Sequence, residues 1–290
     1  MTWTVRLGRC LARIHGAGRL PDDAWAQLIE GYTPPGDPWA GTLAVEVGPP
    51  LADAPTLPDV IDLVPAGEGA CVHEGPVWSL RLCGLGGGGS PAAQVRFRRA
   101  IAERGAQAEA LVMLVRALAA TVAVLDDAVL VHGAALVPRG STGALICLGP
   151  SGHGKSTMLR RLPGAAVLAD DTVLLRRPAG GGPWLAYGTP LAGKERHPRT
   201  GGPVVVERLV TLVPGAERLE LARLEPAAAF RELVARTFWF VRDGELPQRL
   251  MTLLHALATE HGVQRLSSSL HHDVRPLLGA PLAEVPCSPA

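Results

Sequence analysis

The stretch LICLGPSGHGKSTMLRRL, from Leu145 to Leu162, constrains this chain more than any other part of it. An apolar run of strand length leads into a glycine, four residues, then Gly-Lys-Ser, and a helical pattern follows. In GPSGHGKST, the glycines Gly149, Gly152 and Gly154 let the backbone fold tightly, so that its N–H groups face inward as a nest for an anion. Ser151 and His153 complete the loop, and Lys155 carries a full charge to the β- and γ-phosphates of a nucleotide. Ser156 places a hydroxyl to ligate Mg2+, with Thr157 beside it. The competing reading is a glycine-rich turn capping an ordinary helix. A strand before the motif and a helix after it favour the phosphate site, and with it an α/β architecture.

Composition narrows the rest. With 290 residues, 47% of them apolar, the chain can bury one large core or two small ones. Its 28 basic and 27 acidic side chains leave a net charge of +1, which excludes a general nucleic-acid binder or a polybasic membrane binder. Lys155 and Lys194 are the only lysines, so each marks a place where arginine does not substitute. Five cysteines, with no CxxC spacing, exclude a disulfide scaffold and a zinc site of the usual kind. Arg6, Arg9 and Arg13 interrupt the first apolar residues, which argues against a secretory signal. No run has the length to cross a bilayer. The expectation is a soluble, cytoplasmic protein with neither nucleic acid nor membrane as partner.

Along the chain, short helical patterns are expected at Val5–His15 and Pro21–Tyr32, then strands at LAVEV from Leu43, GACVHEG and VWSLRLCG, the last two as a hairpin. LGGGGSPA from Leu85 reads as a flexible joint, and Ala92 to about Val124 as a helix. Strands AVLVHGAALV and GALICLG flank the turn PRGST, and after the phosphate-loop helix come AAVLA, TVLLRR and VVVERLVTLVPG. Helices at Ala227–Phe240 and Pro247–Glu260, a strand VQRL and a short helix near Val274–Leu278 close the pattern. This divides the chain into an N-terminal helical and β-strand region, 1–105, for peptide or substrate recognition, and a phosphate-loop domain, 106–290.

Asp170 and Asp171 end the strand AAVLA. After an eight-residue helix of ~12 Å, a tight turn brings them back beside the loop. One carboxylate can hold Mg2+ while the other takes a proton from an attacking hydroxyl. His132 lies on the strand that leads into the phosphate-loop strand, which brings it near the site. Lys194 and Arg196, in GTPLAGKERHPR, suit a mobile anion-binding or substrate-facing loop; a solvated basic loop is the other reading.

Together, VHGAALV, LICLGPSGHGKST and VLADDTVLL resemble the HPr kinase/phosphorylase superfamily, whose members set a histidine before the phosphate loop and a double aspartate about fifteen residues beyond the loop lysine. The resemblance covers residues 128–195 at motif level and the C-terminal third more loosely. It implies an HPr kinase/phosphoenolpyruvate carboxykinase-like core, a mixed sheet with flanking helices. By position, it implies that Lys155 and Ser156 bind ATP and Mg2+, that Asp170 is the general base, that Asp171 supports the metal and that His132 orients the base. Thr157 stands where HPr kinases carry Glu, so the closer resemblance is to stand-alone HPr-kinase-like enzymes, including those of lasso-peptide and other modified-peptide biosynthesis. The activity implied is phosphorylation of a Ser/Thr-type hydroxyl, on a precursor peptide or else on an amino acid or sugar alcohol, by a possible homo-oligomer. A nucleotide-binding regulatory module without phosphotransfer, or a plain NTPase, is the alternative.

Overall fold

The computed structural model describes residues 2–7, 10–15, 32–33, 41–53, 61–67, 69–85, 91–99, 107–191, 193, 197–242, 244–279 and 287–288. Its first half supplies strands β1 (Thr2–Leu7), β2 (Cys10–His15), β3 (Tyr32–Thr33), β4 (Gly41–Val47), β5 (Val64–Pro65), β6 (Ala70–Glu74), β7 (Trp78–Cys83) and β8 (Ala92–Phe97). All but β3 form a seven-stranded sheet in the order β1-β2-β4-β8-β7-β6-β5, mixed because β4 runs parallel to both β2 and β8.

Two expectations change here. The expected helix at Val5–His15 is half of an antiparallel hairpin, with Trp3 opposite Ile14 and Val5 opposite Ala12. Thr2 to Val5 is a β-branched and aromatic run, and Trp3, Val5 and Leu7 alternate with period two; these outweigh the helical spacing of Leu7 and Leu11. The expected helix from Ala92 begins as a strand, in which Ala93, Val95 and Phe97 are buried and the residues between them exposed. Alternation of this kind fits a pleated strand with one buried face. The helix itself, α1, spans Gln107–Leu125. The β6/β7 hairpin forms as expected. The expected helix at Pro21–Tyr32, apart from Tyr32, and residues 86–90 of the expected joint lie outside the described residues.

The second half supplies β9 (Ala128–Val137), β10 (Ala144–Leu148), α2 (Lys155–Arg161), β11 (Ala166–Ala169), β12 (Thr172–Arg176), β13 (Leu185–Tyr187), β14 (Arg199–Thr200), β15 (Val204–Pro214) and β16 (Glu220–Leu224). Then follow α3 (Pro226–Arg236), α4 (Glu245–Ala256) with a π-helical turn at Leu257–His261, β17 (Gln264–Ser268), α5 (Arg275–Gly279) and β18 (Cys287–Ser288). The long strand β9 serves three neighbours: its first half pairs with β12 and its second with β10 and β11. Because β12 pairs with β13, β13 with β15, and β15 in parallel with β10, these five strands close a ring of pairings. β17, β16 and β18 extend the sheet from β15. β14 pairs in parallel with β3.

Leu111, Leu114 and Leu118 recur on one side of α1 and are buried in one apolar cluster with Trp78, Leu80 and Val95 of the first sheet and Val129, Ile146 and Leu148 of the second. A fully buried leucine of this kind contributes ~1.5–3 kcal/mol, so α1 ties the two sheets together from a stripe of its own sequence. The boundary expected near residue 105 falls outside the described residues, and the cluster continues on both sides of it. On the other face, Met158, Leu159 and Leu162 pack against Cys147, Val210 and Leu212 in a second cluster. The chain is thus mixed α/β with two mixed sheets. Among the described residues, no helix is long and apolar enough to cross a membrane.

Candidate phosphate-loop site

The loop from Gly149 joins the end of β10 to α2, and Gly152 and Gly154 have φ of 85° and 89°. A Cβ would meet nothing within 4 Å at either position, so what demands glycine there is the left-handed backbone and not crowding. Ser151 and Gly152 are exposed, and His153 places Nδ1 3.4 Å from the carbonyl of Leu212, which holds the loop beside β15. Ser156 and Thr157 follow in the first turn of α2, where Thr157 Oγ1 accepts from Arg160 at 3.4 Å.

Lys155 is buried, and its Nζ donates to the carbonyls of Gly149 at 2.8 Å and Pro150 at 2.9 Å. Its third partner is His132 Nε2, at 3.0 Å. An ammonium has only protons to give, so Nε2 must be the accepting nitrogen and the ring proton sits on Nδ1. From there it points at the backbone carbonyl of Asp171, 3.1 Å away, with the Asp171 carboxylate at 3.5 Å. Burial, and then the Lys155 charge, push the His132 pKa below its ordinary value despite Asp171, so the ring is neutral. Burial also lowers the Lys155 pKa; Asp171 opposes this and Arg236 adds to it.

Asp171 is fixed from the other side. Its Oδ2 accepts from Arg116 Nη2 at 2.9 Å and from Thr172 Oγ1 at 2.8 Å. The Arg116 guanidinium also lies 4.7 Å from the centre of the Phe238 ring, whose edge meets His132. Phe238 arrives there because α3 stops earlier than its sequence pattern: Thr237 bridges Val131, and the Phe238 N–H donates to the Leu130 carbonyl at 2.8 Å.

Asp170 does not join this group, and the expectation that both carboxylates turn to the phosphate loop is corrected. Adjacent residues at a strand end point to opposite sides. Asp170 accepts from the backbone N–H of Gly193 at 3.0 Å, from that of His197 at 3.2 Å and from Arg199 Nη1 at 3.2 Å. The pair is closed to solvent, with side chains 2% exposed for Asp170 and 0% for Arg199. Lys194 and Arg196 lie outside the described residues, between the two backbone groups that Asp170 holds.

Arg116, Glu232 and Arg236 were not singled out by the sequence. Arg116 carries a signal, as the one charged residue in α1 after Glu109. Glu232 and Arg236 carry none, since they belong to an ordinary amphipathic helix. The structure sets Glu232 against Thr211, whose hydroxyl donates to Oε2 at 3.1 Å, and Thr211 is the parallel partner of Leu148 at the end of the phosphate-loop strand. Arg236 Nη2 lies 3.6 Å from Glu232.

A cavity of about 1040 Å3 lies around the β9/β10 turn, at the opposite end of β10 from the loop. His271, His272 and Asp273 form no metal site; His272 Nδ1 accepts from the Ser269 N–H, and Asp273 pairs with Arg275. Among the described residues, no three His, Cys, Asp or Glu side chains are grouped to hold a metal unaided. No family model matches the chain, and no curated protein matches it.

Proposed function

We propose that the chain is an ATP- and Mg2+-dependent kinase of the HPr-kinase-like kind, transferring phosphate to a Ser- or Thr-type hydroxyl. One observation carries this reading: the phosphate-loop lysine lies 3.0 Å from a neutral histidine whose other nitrogen is oriented by Asp171. A site that only holds a nucleotide has no use for an oriented base beside that lysine.

The loop N–H groups and Lys155 bind the triphosphate, for which Lys155 exchanges the carbonyls of Gly149 and Pro150 for phosphate oxygens. That movement also releases the lone pair of His132 Nε2. The acceptor hydroxyl gives its proton to Nε2 as its oxygen bonds to the γ-phosphorus. The bond from that phosphorus to the β–γ bridging oxygen breaks, and ADP leaves with the electron pair. Asp171 stabilises the imidazolium through its carbonyl and nearby carboxylate, while Arg116 fixes Asp171 in place. Asp170, for which the resemblance implies the base, instead holds Gly193, His197 and Arg199, and Lys194 and Arg196 remain the proposed acceptor contacts by their place in the sequence.

Mg2+ takes one or two carboxylates and fills its remaining positions with phosphate oxygens and water. The Ser156 hydroxyl and the Asp171 carboxylate fit that demand as donors. The ion supplies neutralisation of charge on the β- and γ-phosphates. A peptide ranks first among acceptors, because β1 and β5 are the outer strands of the first sheet and an edge can take up an extended segment.

The test is transfer from Mg-[γ-32P]ATP to panels of Ser/Thr peptides and small alcohols. Wild type labels an acceptor, Lys155→Ala abolishes labelling, and His132→Gln slows it by ~10²–10⁴ with nucleotide affinity held within a few-fold. Release of free phosphate with no labelled acceptor in any panel makes the chain an NTPase and overturns the proposal.

A further inference from the structure

His132, Asp171 and Arg116 serve the transfer described above, whereas the residues that α3 brings to the same loop have no part in it. Arg236 is the last residue of α3, and the antiparallel bridge between Thr237 and Val131 sets it across from His132. Glu232, one turn earlier, accepts from Thr211 Oγ1 at 3.1 Å, and Thr211 pairs with Leu148 where the loop begins. The end of α3 is thereby tied to β9 and β15, the two neighbours of the phosphate-loop strand.

Among the described residues, the guanidinium of Arg236 makes no hydrogen bond, and its only ion pair is with Glu232, at 3.6 Å. A partly exposed ion pair of that length holds weakly. Nε is buried without a partner, so Nη1 and Nη2 are the nitrogens left to meet a ligand, on a side chain that is 22% exposed. The charge of Arg236 also reaches Lys155: burial lowers the lysine pKa, Asp171 opposes this, and Arg236 lowers it further. Two cations brought together cost free energy unless an anion comes between them. The carboxylates at hand are engaged elsewhere, Asp171 with Arg116 and Thr172, Glu232 with Thr211.

We infer that Arg236 is a catalytic residue, whose Nη1 and Nη2 close on the oxygens of the γ-phosphoryl group as it transfers. The inference rests on the kinase reading above and adds to it a residue that the sequence pattern does not mark. As the acceptor oxygen bonds to phosphorus and the bond to the β–γ bridging oxygen breaks, charge spreads over the three equatorial oxygens of the phosphoryl group. A planar guanidinium meets two of these at once, which the ammonium of Lys155 does not. No proton moves in this contact; it neutralises charge while His132 takes the proton of the acceptor. Glu232 is a positioning residue, fixed by Thr211, that keeps Arg236 at the loop until the more highly charged phosphoryl group replaces it.

The experiment is titration of Mg-ADP into the full chain with and without aluminium fluoride, a mimic of the phosphoryl group in transfer, so that it needs no acceptor. Aluminium fluoride should tighten Mg-ADP binding to wild type, and Arg236→Gln should lose ~10²–10³ of that tightening while Mg-ADP alone binds within about twofold of wild type. Arg236→Lys should keep only part of it. In the transfer assay, kcat of Arg236→Gln should fall by the same factor with KM for ATP nearly unchanged. Wild-type tightening in Arg236→Gln, an equal loss with and without aluminium fluoride, or no tightening in wild type overturns the inference and leaves the kinase reading to the transfer assay. Tightening that depends on Arg236 with no acceptor labelled in any panel keeps Arg236 on the phosphoryl group and overturns the kinase reading alone.

Discussion

Replacing Asp170 separates the two assignments of the aspartate pair. Asp170 and Arg199 are 3.2 Å apart with side chains 2% and 0% exposed, and Asp170 also receives the N–H groups of Gly193 and His197. Asp170→Ala leaves a guanidinium closed to solvent without its carboxylate, and it strips two backbone donors of their acceptor. Breaking a buried pair from one side costs ~3–5 kcal/mol. That is a third or more of the stability of an ordinary domain and lowers the melting temperature by about 10 °C. Urea denaturation and thermal melting measure the loss. Asp170→Leu combined with Arg199→Met, which removes both charges, should recover much of it. Asp170→Asn keeps one acceptor oxygen and should be destabilised less. Under saturating nucleotide its turnover should fall far less than that of His132→Gln. The reasoning is refuted if Asp170→Ala stays within 1 kcal/mol of wild type, or if Asp170→Asn is as stable as wild type yet loses turnover by the factor expected of a base.

Two further outcomes follow from other parts of the structure. Thr211 is buried and its hydroxyl donates to Glu232, so Glu232→Ala leaves that hydroxyl unsatisfied at a cost of about 1–3 kcal/mol. A cycle with Thr211→Val, read by urea denaturation, should show coupling of about 1 kcal/mol, and strict additivity would remove the interaction. His261 is pushed down to about 4, first by burial and then by Arg223. The unfolded chain therefore takes up this proton first, so stability is full above pH ~6.5 and falls by about 3 kcal/mol as pH drops toward 4. His261→Leu should flatten that part of the urea midpoint against pH curve, and an unchanged slope would show that other groups set it.

Much of the second half of the fold was legible because its signals are local. The strands at Ala128, Ala144, Ala166 and Thr172 and the helix at Lys155 follow from apolar runs and from glycines at fixed offsets. The N-terminal hairpin was not, because Leu7, Leu11 and Ile14 satisfy a helical spacing while Trp3, Val5 and Leu7 satisfy a strand one. Only a partner strand decides between them, here by pairing Trp3 with Ile14. Ala92–Phe97 was missed for the same reason: its alternation is short, and the long helical pattern that follows absorbs it.

The site divides in the same way. By itself the sequence determined that a glycine-rich loop joins a strand to a helix that starts at Lys155, and that His132 and a pair of adjacent aspartates return to the neighbouring strands, since these depend on order and spacing along one strand–loop–helix unit. The surroundings depend on groups distant in sequence. Arg116 meets Asp171 across 55 residues, Thr211 meets Glu232 across 21 and Asp170 meets Arg199 across 29. Only the tertiary structure decided which aspartate faces Lys155, because neighbouring residues at a strand end turn to opposite sides and the packed elements on each side supply the charge that holds them.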